Sequence, residues 1–239
     1  MDSVVVKEVS KKYGKTLALS EASLVIPSGS IFGLLGVNGA GKTTLMKSIL
    51  GLVRISHGEI LIEGKSYDKA SSREHVSYLP ERFSFFPFYT VKSTLDFYAD
   101  LHSIHGEQRK NRQESALSKL NIQDLSEKKI KSLSKGQLQR VGLAAMIFVD
   151  SQILFLDEPF SGLDPIGIKD LKELLKDLKN LGKTVIMSTH ILAEVELLCD
   201  HIAIIDHGKV VSTGATTDLV KNETLENYFY QLIKKGGQE

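Results

Sequence analysis

The sequence predicts an α/β protein with a helical subdomain inserted into its core. Three observations point there. Short apolar runs, several of them β-branched and bounded by Gly, Pro or Asp, recur along the chain as strands do. One-sided helical patterns lie between some of these runs. Residues 88–149 carry little strand signal and much helix signal.

The candidate strands are residues 4–9, 24–26, 31–35, 59–62, 76–79, 153–156, 184–187, 202–205 and 210–212. Residues 31–35 and 153–156 are apolar at consecutive positions, as in strands buried on both faces. Residues 166–181 place Leu171, Leu174, Leu175, Leu178 and Leu181 on one helical stripe. The opposite face mixes Lys169, Lys172, Lys176 and Lys179 with Asp170, Glu173 and Asp177, which reads as a solvated, ion-paired surface. The tail from Thr216 is expected to be helical to about Ile233, then polar and frayed. The expected domain division is residues 1–87 with 150–215 as one α/β core, 88–149 as the helical insert, and 216–239 as a terminal helix and tail.

At 239 residues the chain is long enough to bury a sizeable core without covalent staples. Lys plus Arg number 30 and Asp plus Glu 29, so bulk charge offers nothing to nucleic acid, and none is expected as a partner. A bound phosphate must therefore be held locally. Cys199 is the single cysteine, which excludes disulfide frameworks and zinc ribbons and fits a reducing compartment. The longest apolar run, residues 141–149, is well short of the roughly 20 residues of a spanning helix. The start MDSVVVKEVS lacks a signal-peptide pattern, and an intracellular soluble protein is the expectation.

Residues 36–44 read GVNGAGKTT and follow the buried-strand candidate 31–35 directly. This fits the Gly-x4-Gly-Lys-Thr pattern of a phosphate-binding loop. Its glycines allow the backbone to turn tightly with N–H groups pointing inward, and the helix that follows adds its positive end. The candidate set is Gly36, Asn38, Gly39, Ala40, Gly41, Lys42, Thr43 and Thr44. Lys42 is expected at the β- and γ-phosphates and the Thr43 hydroxyl on Mg²⁺. No Asn-Lys-x-Asp guanine reader is present.

A second motif, ILFLDEP, sets Asp157 and Glu158 at the end of a buried strand. An acid at the carboxyl end of a parallel strand beside a phosphate loop suits Mg²⁺ coordination, the role expected of Asp157. Glu158 can then polarise the attacking water.

With these motifs the chain resembles the ATP-binding-cassette ATPases, and six motifs in that family's order cover nearly its whole length. Tyr13, in KKYGKTLAL, is similar to the aromatic that stacks on adenine. The phosphate loop follows. LSKGQ at 133–137 resembles the family signature Leu-Ser-Gly-Gly-Gln. Then come the acidic strand, SGLD at 161–164, and His190 in MSTH, which resembles the switch histidine at the γ-phosphate. The resemblance implies a P-loop NTPase (RecA-like) core with an antiparallel β subdomain and an inserted α-helical subdomain. It implies ATP and Mg²⁺ as ligands. It also implies two cassettes joined head to tail, a homodimer or a pair with a related cassette. Each ATP would lie between one phosphate loop and the partner's Ser134, Gly136 and Gln137.

Two positions depart from the family pattern. Lys135 replaces the first signature Gly, and the direction of its side chain is open at this level. Glu81, in SYLPER, occupies the place of the usual Gln that senses Mg²⁺ and water; an ionised carboxylate accepts hydrogen bonds but cannot donate them.

The resemblance further implies a motor subunit. It would hydrolyse ATP beneath separate transmembrane permease subunits, peripheral on the inner face of the cell membrane. Five of the 17 aromatics fall in FSFFPFY at 83–89, where the family borders its membrane partner. The rings either dock that partner or pack the root of the helical insert, and both readings stay open. Length and the Leu-Pro-Glu form lean towards the bacterial ABC-2 exporters. The alternative is a soluble cassette such as an iron–sulfur assembly ATPase.

Overall fold

The computed structural model describes residues 2–221 and 223–236. Two sheets form the core. Strands β1 (Asp2–Tyr13) and β2 (Thr16–Pro27) make a hairpin, turning at Gly14 with φ +57°. With β4 (His57–Ile62) and β5 (Lys65–Ser66) they give a four-stranded antiparallel sheet in the order β2-β1-β4-β5. The second sheet contains β3 (Ile31–Leu35), β6 (Val76–Leu79), β7 (Ile153–Asp157), β8 (Thr184–Thr189), β9 (His201–Asp206) and β10 (Lys209–Ala215). Its order is β10-β9-β3-β8-β7-β6, parallel except for the antiparallel edge strand β10.

The unbroken apolar runs have a simple cause. Phe32 and Leu34 of β3 face the antiparallel sheet, while Ile31 and Leu35 face the helical side. Strand β7 divides likewise, with Phe155 inward between the sheets and Leu154 and Leu156 under the helices. A strand covered on both faces has no position for a polar residue. Helix α1 (Lys42–Ile49) lies in the inter-sheet layer through Leu45, Met46 and Ile49.

Every expected strand forms, and the antiparallel ones extend beyond their apolar runs. Strand β1 shifts register between Val6 and Val9, around Glu8 with φ +50°, and this breaks the alternation that reveals a strand in sequence. The two-residue β5 carries no sequence signal.

Helices α2 (Val91–Leu101), α3 (Gly106–Lys119) and α4 (Lys135–Val149) pack together through Leu95, Ala99, Ala116, Leu117, Val141 and Phe148. Helix α5 (Pro165–Asn180) starts at the N-cap Asp164, whose carboxylate accepts from the Gly167 N–H at 2.8 Å, with Pro165 just inside. It lays its leucine stripe on the parallel sheet; Leu181 falls just past its end and is exposed. Helix α6 (Leu192–Leu198) follows β8. The expected single helix after Thr216 is two: α7 (Thr216–Leu219) and α8 (Leu225–Gly236). The last residues of the expected frayed tail, 237–239, lie outside the described residues.

Candidate functional site

The carboxyl ends of β3, β7 and β8 meet at one cavity of about 350 Å³. It is lined by Asn38 to Thr44 of the loop after β3, by Glu81, by Asp157 and Glu158 at the end of β7, and by His190 just past β8. Ala18 of β2 and Ser161 complete the wall. Ligands of open α/β sheets sit at such strand ends.

The loop is held from outside. The Gly208 N–H donates to Ala40 O at 2.8 Å. A Cβ at Gly36 would meet Ile205 O at 2.3 Å, so only glycine fits against β9 there. Lys42 is buried, and its ammonium donates back across the loop to Gly36 O at 2.7 Å and Val37 O at 3.3 Å. Burial pulls its pKa below the ordinary lysine value, against the opposing pull of Glu158, Asp157 and Glu81.

Asp157 accepts from three side chains. The Thr43 hydroxyl reaches its two oxygens at 3.4 and 3.1 Å, and Ser188 Oγ donates to Oδ1. The Tyr78 hydroxyl approaches Oδ2 at 3.5 Å; burial, then the Asp157 charge, push that phenol's pKa up. Thr43 and Asp157 thus converge hard oxygen donors on one point of the cavity, a donor set that suits a small divalent cation. Among the described residues no cluster of three or more His, Cys, Asp or Glu could hold a metal by itself. Two protein oxygens fit a cation whose remaining ligands are phosphate and water.

Glu158 follows in a left-handed backbone, φ +52°, a conformation that costs a non-glycine residue about 1–2 kcal/mol. Its N–H is held by Ser188 O at 3.1 Å and Ser188 Oγ at 3.2 Å. The turn aims its carboxylate at His190, with Oε2 2.9 Å from Nδ1. Glu158 is largely covered while His190 is open to solvent. Burial raises the Glu158 pKa, and His190 and Lys42 oppose that rise.

The signature residues stand apart. Ser134 and Gln137 form a reciprocal capping box at the start of α4: Gln137 N–H donates to Ser134 Oγ at 3.3 Å and Ser134 N–H to Gln137 Oε1 at 3.0 Å. With Lys135, Gly136 and Gly162 they line a second cavity of about 520 Å³. Tyr13 also lies outside the first cavity, half-exposed at the hairpin end, with the Lys11 ammonium 4.7 Å from its ring centroid. Gly36 shapes the loop without lining the cavity.

The FSFFPFY rings divide. Phe83 and Phe85 pack on the helical core, 5.4 Å apart edge to face. Phe86 is 54% and Phe88 72% exposed. Phe85, Phe86, Tyr89, Phe97 and Tyr98 line an apolar groove of about 410 Å³ at the foot of α2. Sequence reasoning missed Tyr78 and Ser188 as partners of Asp157. Ser188 lies inside MSTH and Tyr78 three residues before Glu81, so adjacency to the motifs was the available signal.

Comparison with known proteins agrees with this geometry. A family model described as ABC transporter matches residues 19–161. The chain is 38% identical over 241 residues to an uncharacterized ABC transporter ATP-binding protein of Synechocystis sp., covering 97% of this chain and 67% of the relative. It is 35% identical over 206 residues to the lantibiotic transport ATP-binding protein SrtF of Streptococcus pyogenes, covering 86% and 88%. A solved ATP-binding subunit of an ABC transporter superposes with a TM-score of 0.90 at 28% identity, over 96% of this chain and 98% of that one.

Proposed function

Because the chain belongs to the ABC transporter ATP-binding family, we propose that its β3–β7–β8 cavity is the hydrolytic site of a transporter motor that works as a dimer. The chain is the ATP-binding, ATP-hydrolysing subunit and has the P-loop α/β fold. The observation that carries the site reading is the convergence of Lys42, Thr43, Asp157, Glu158 and His190 on one cavity. Loop N–H groups and Lys42 hold the β- and γ-phosphates, and Thr44 and Asn38 close the cradle. Thr43 and Asp157, with Glu81 at the rim, would hold a Mg²⁺ ion, which supplies charge neutralisation on the phosphates when bound. Glu158 accepts a proton from the attacking water, and His190 fixes the carboxylate's direction.

Tyr13 is open to stack on the base, and the capping box presents Ser134, Gly136 and Gln137 at the positive end of α4. In one chain these face a different cavity from Lys42. A head-to-tail homodimer would complete each site with the partner's signature. The domain division 1–87 with 150–215, 88–149 and 216–239 goes with this reading, the helical part carrying the signature. To test it, Ser134→Arg should leave nucleotide binding by the monomer intact and abolish ATP-driven dimerisation on size exclusion. Dimerisation unaffected by that substitution would defeat the arrangement.

Among the described residues no helix is long and apolar enough to cross a membrane. A transporter motor of this kind works on separate permease subunits, which place it peripherally on the cytoplasmic face of the membrane. The exposed Phe86 and Phe88 beside the α2 groove are the proposed contact, and the transport of a lantibiotic by a relative favours export. Replacing both with Ser should cost about 1–2 kcal/mol, chiefly the Phe86 ring contacts with Tyr89 and Phe97, well short of the ~3–5 kcal/mol of a core Phe. It should leave basal ATPase intact and lower co-purification of the permease at least tenfold. Unchanged recovery would move the contact elsewhere.

A further inference from the structure

We propose that Lys135 is a positioning residue whose ammonium ties the signature end of α4 to Ser161, in the loop that follows Glu158. This rests on the reading of Glu158 and the signature as parts of one hydrolytic site. The Lys135 ammonium donates to Ser161 Oγ at 3.3 Å within the same chain. Its stem lies across Gly162: a Cβ built there would meet Lys135 Cδ and Cε at 2.9 Å. The space an ordinary side chain would take at 162 is the space the lysine occupies.

The neighbours on that helix face repeat the contact. A Cβ at Gly136 would meet Gly162 O at 3.1 Å. Gln139, buried, donates through Nε2 to Pro159 O at 3.2 Å. Arg140 lies 3.9 Å from the Asp164 carboxylate. Positions 135, 136, 139 and 140 share one face of a helix. That face is therefore laid along residues 159–164, the segment that leaves Glu158.

Lys135 lines the signature cavity, whereas Ser161 lines the phosphate cavity with Lys42, Glu158 and His190. Their hydrogen bond thus joins the walls of two sites that otherwise share no residue of this chain. A glycine at 135, the usual family residue, has no arm to make the bond. The lysine adds a cis connection, keeping the carboxylate turn in step with the signature end of α4.

The test is a double-mutant cycle on steady-state ATPase with the full chain, at saturating Mg²⁺ and varied ATP. Lys135 is exposed, so the expected effect is modest, about threefold. Lys135→Met, which keeps the stem, Lys135→Gly, which restores the usual signature, and Ser161→Ala should each lower kcat about threefold, with KM for ATP unchanged. The double variant Lys135→Met with Ser161→Ala should be no slower than either single one. Lys135→Arg should keep the wild-type rate. A roughly ninefold fall in the double variant, the product of independent effects, would overturn the tether. So would a raised KM with unchanged kcat in Lys135→Met, which would mean that the charge acts on nucleotide instead.

A second readout needs no turnover. The Ser161 and Leu163 amides donate to Glu158 O and Phe160 O. Without nucleotide, their hydrogen exchange should quicken about threefold in Lys135→Met; unchanged exchange also overturns the tether. Absence of turnover in the wild-type chain would defeat the ATPase reading, while exchange would still judge the tether.

Discussion

Glu158→Gln is expected to keep ATP affinity while losing about 10²–10⁴-fold in kcat, the usual contribution of a positioned general base. The amide preserves the shape of the turn and the approach to His190, but it cannot take a proton from water. Phosphate release and equilibrium nucleotide binding on the same preparation check it, with an ATP-stabilised dimer visible by size exclusion. Hydrolysis within a few-fold of wild type would remove Glu158 from the mechanism. The pH dependence carries a further sign. Burial raises the Glu158 pKa in the free chain, so the ionised base forms at higher pH than an ordinary carboxylate does, and kcat/KM should rise with pH through that range. Stability runs the other way. With the folded pKa above the unfolded one, the fold favours the protonated acid, and stability falls as pH rises through the folded pKa. Glu158→Gln should lack that decline.

Lys42→Ala is expected to lower ATP affinity and turnover together. The ammonium is buried and hydrogen-bonded to two loop carbonyls, already aimed across the loop. Truncating one partner of a buried charge contact costs about 2–5 kcal/mol, roughly 30- to several-thousand-fold in affinity. Calorimetric titration with ATP on a protein of unchanged far-UV dichroism checks it. The substitution also removes a positive charge that acts on Asp157, Glu158 and Glu81. The Glu158 pKa, held down in part by Lys42, should rise further. Affinity within threefold of wild type would show that the lysine packs the loop and holds no phosphate.

Much of the site was legible because its parts are contiguous in sequence. The phosphate loop, the acid pair and MSTH each sit at the end of one buried strand, so recognising the strand places the motif. The sheet then brings the three ends together without further instruction. What stayed hidden depends on residues far apart. Ser188 and Tyr78 hold Asp157 only because β8 and β6 flank β7. The direction of Lys135 depends on a glycine 27 residues later, which no local pattern can register. Sequence alone does not divide the aromatic run between docking and packing, because neighbouring rings in an irregular segment face opposite ways: Phe83 and Phe85 pack on the core while Phe86 and Phe88 are exposed. The break between α7 and α8 was missed for a related reason, since the tail's apolar residues serve two short packing faces.

The far end of α4 is fastened differently from its signature end. There Arg112 donates to Phe148 O at 3.3 Å and Val149 O at 3.1 Å, and Lys183, buried, donates to Asp150 O and Ser151 O and pairs with Asp150 Oδ1 at 2.7 Å. Two cations at a helix carboxyl end complement its dipole and its free carbonyls. The helix is thus a rod held at both ends, by cations on its last carbonyls and by Lys135, Gln139 and Arg140 along residues 159–164. Its 15 residues make it about 22 Å long, at about 1.5 Å per residue. A swing of roughly ten degrees about its carboxyl end carries Ser134 about 4 Å, more than the length of a hydrogen bond. Such a swing would have to carry residues 159–164 along with it, so displacement of the signature end and displacement of the turn at Glu158 would be one movement.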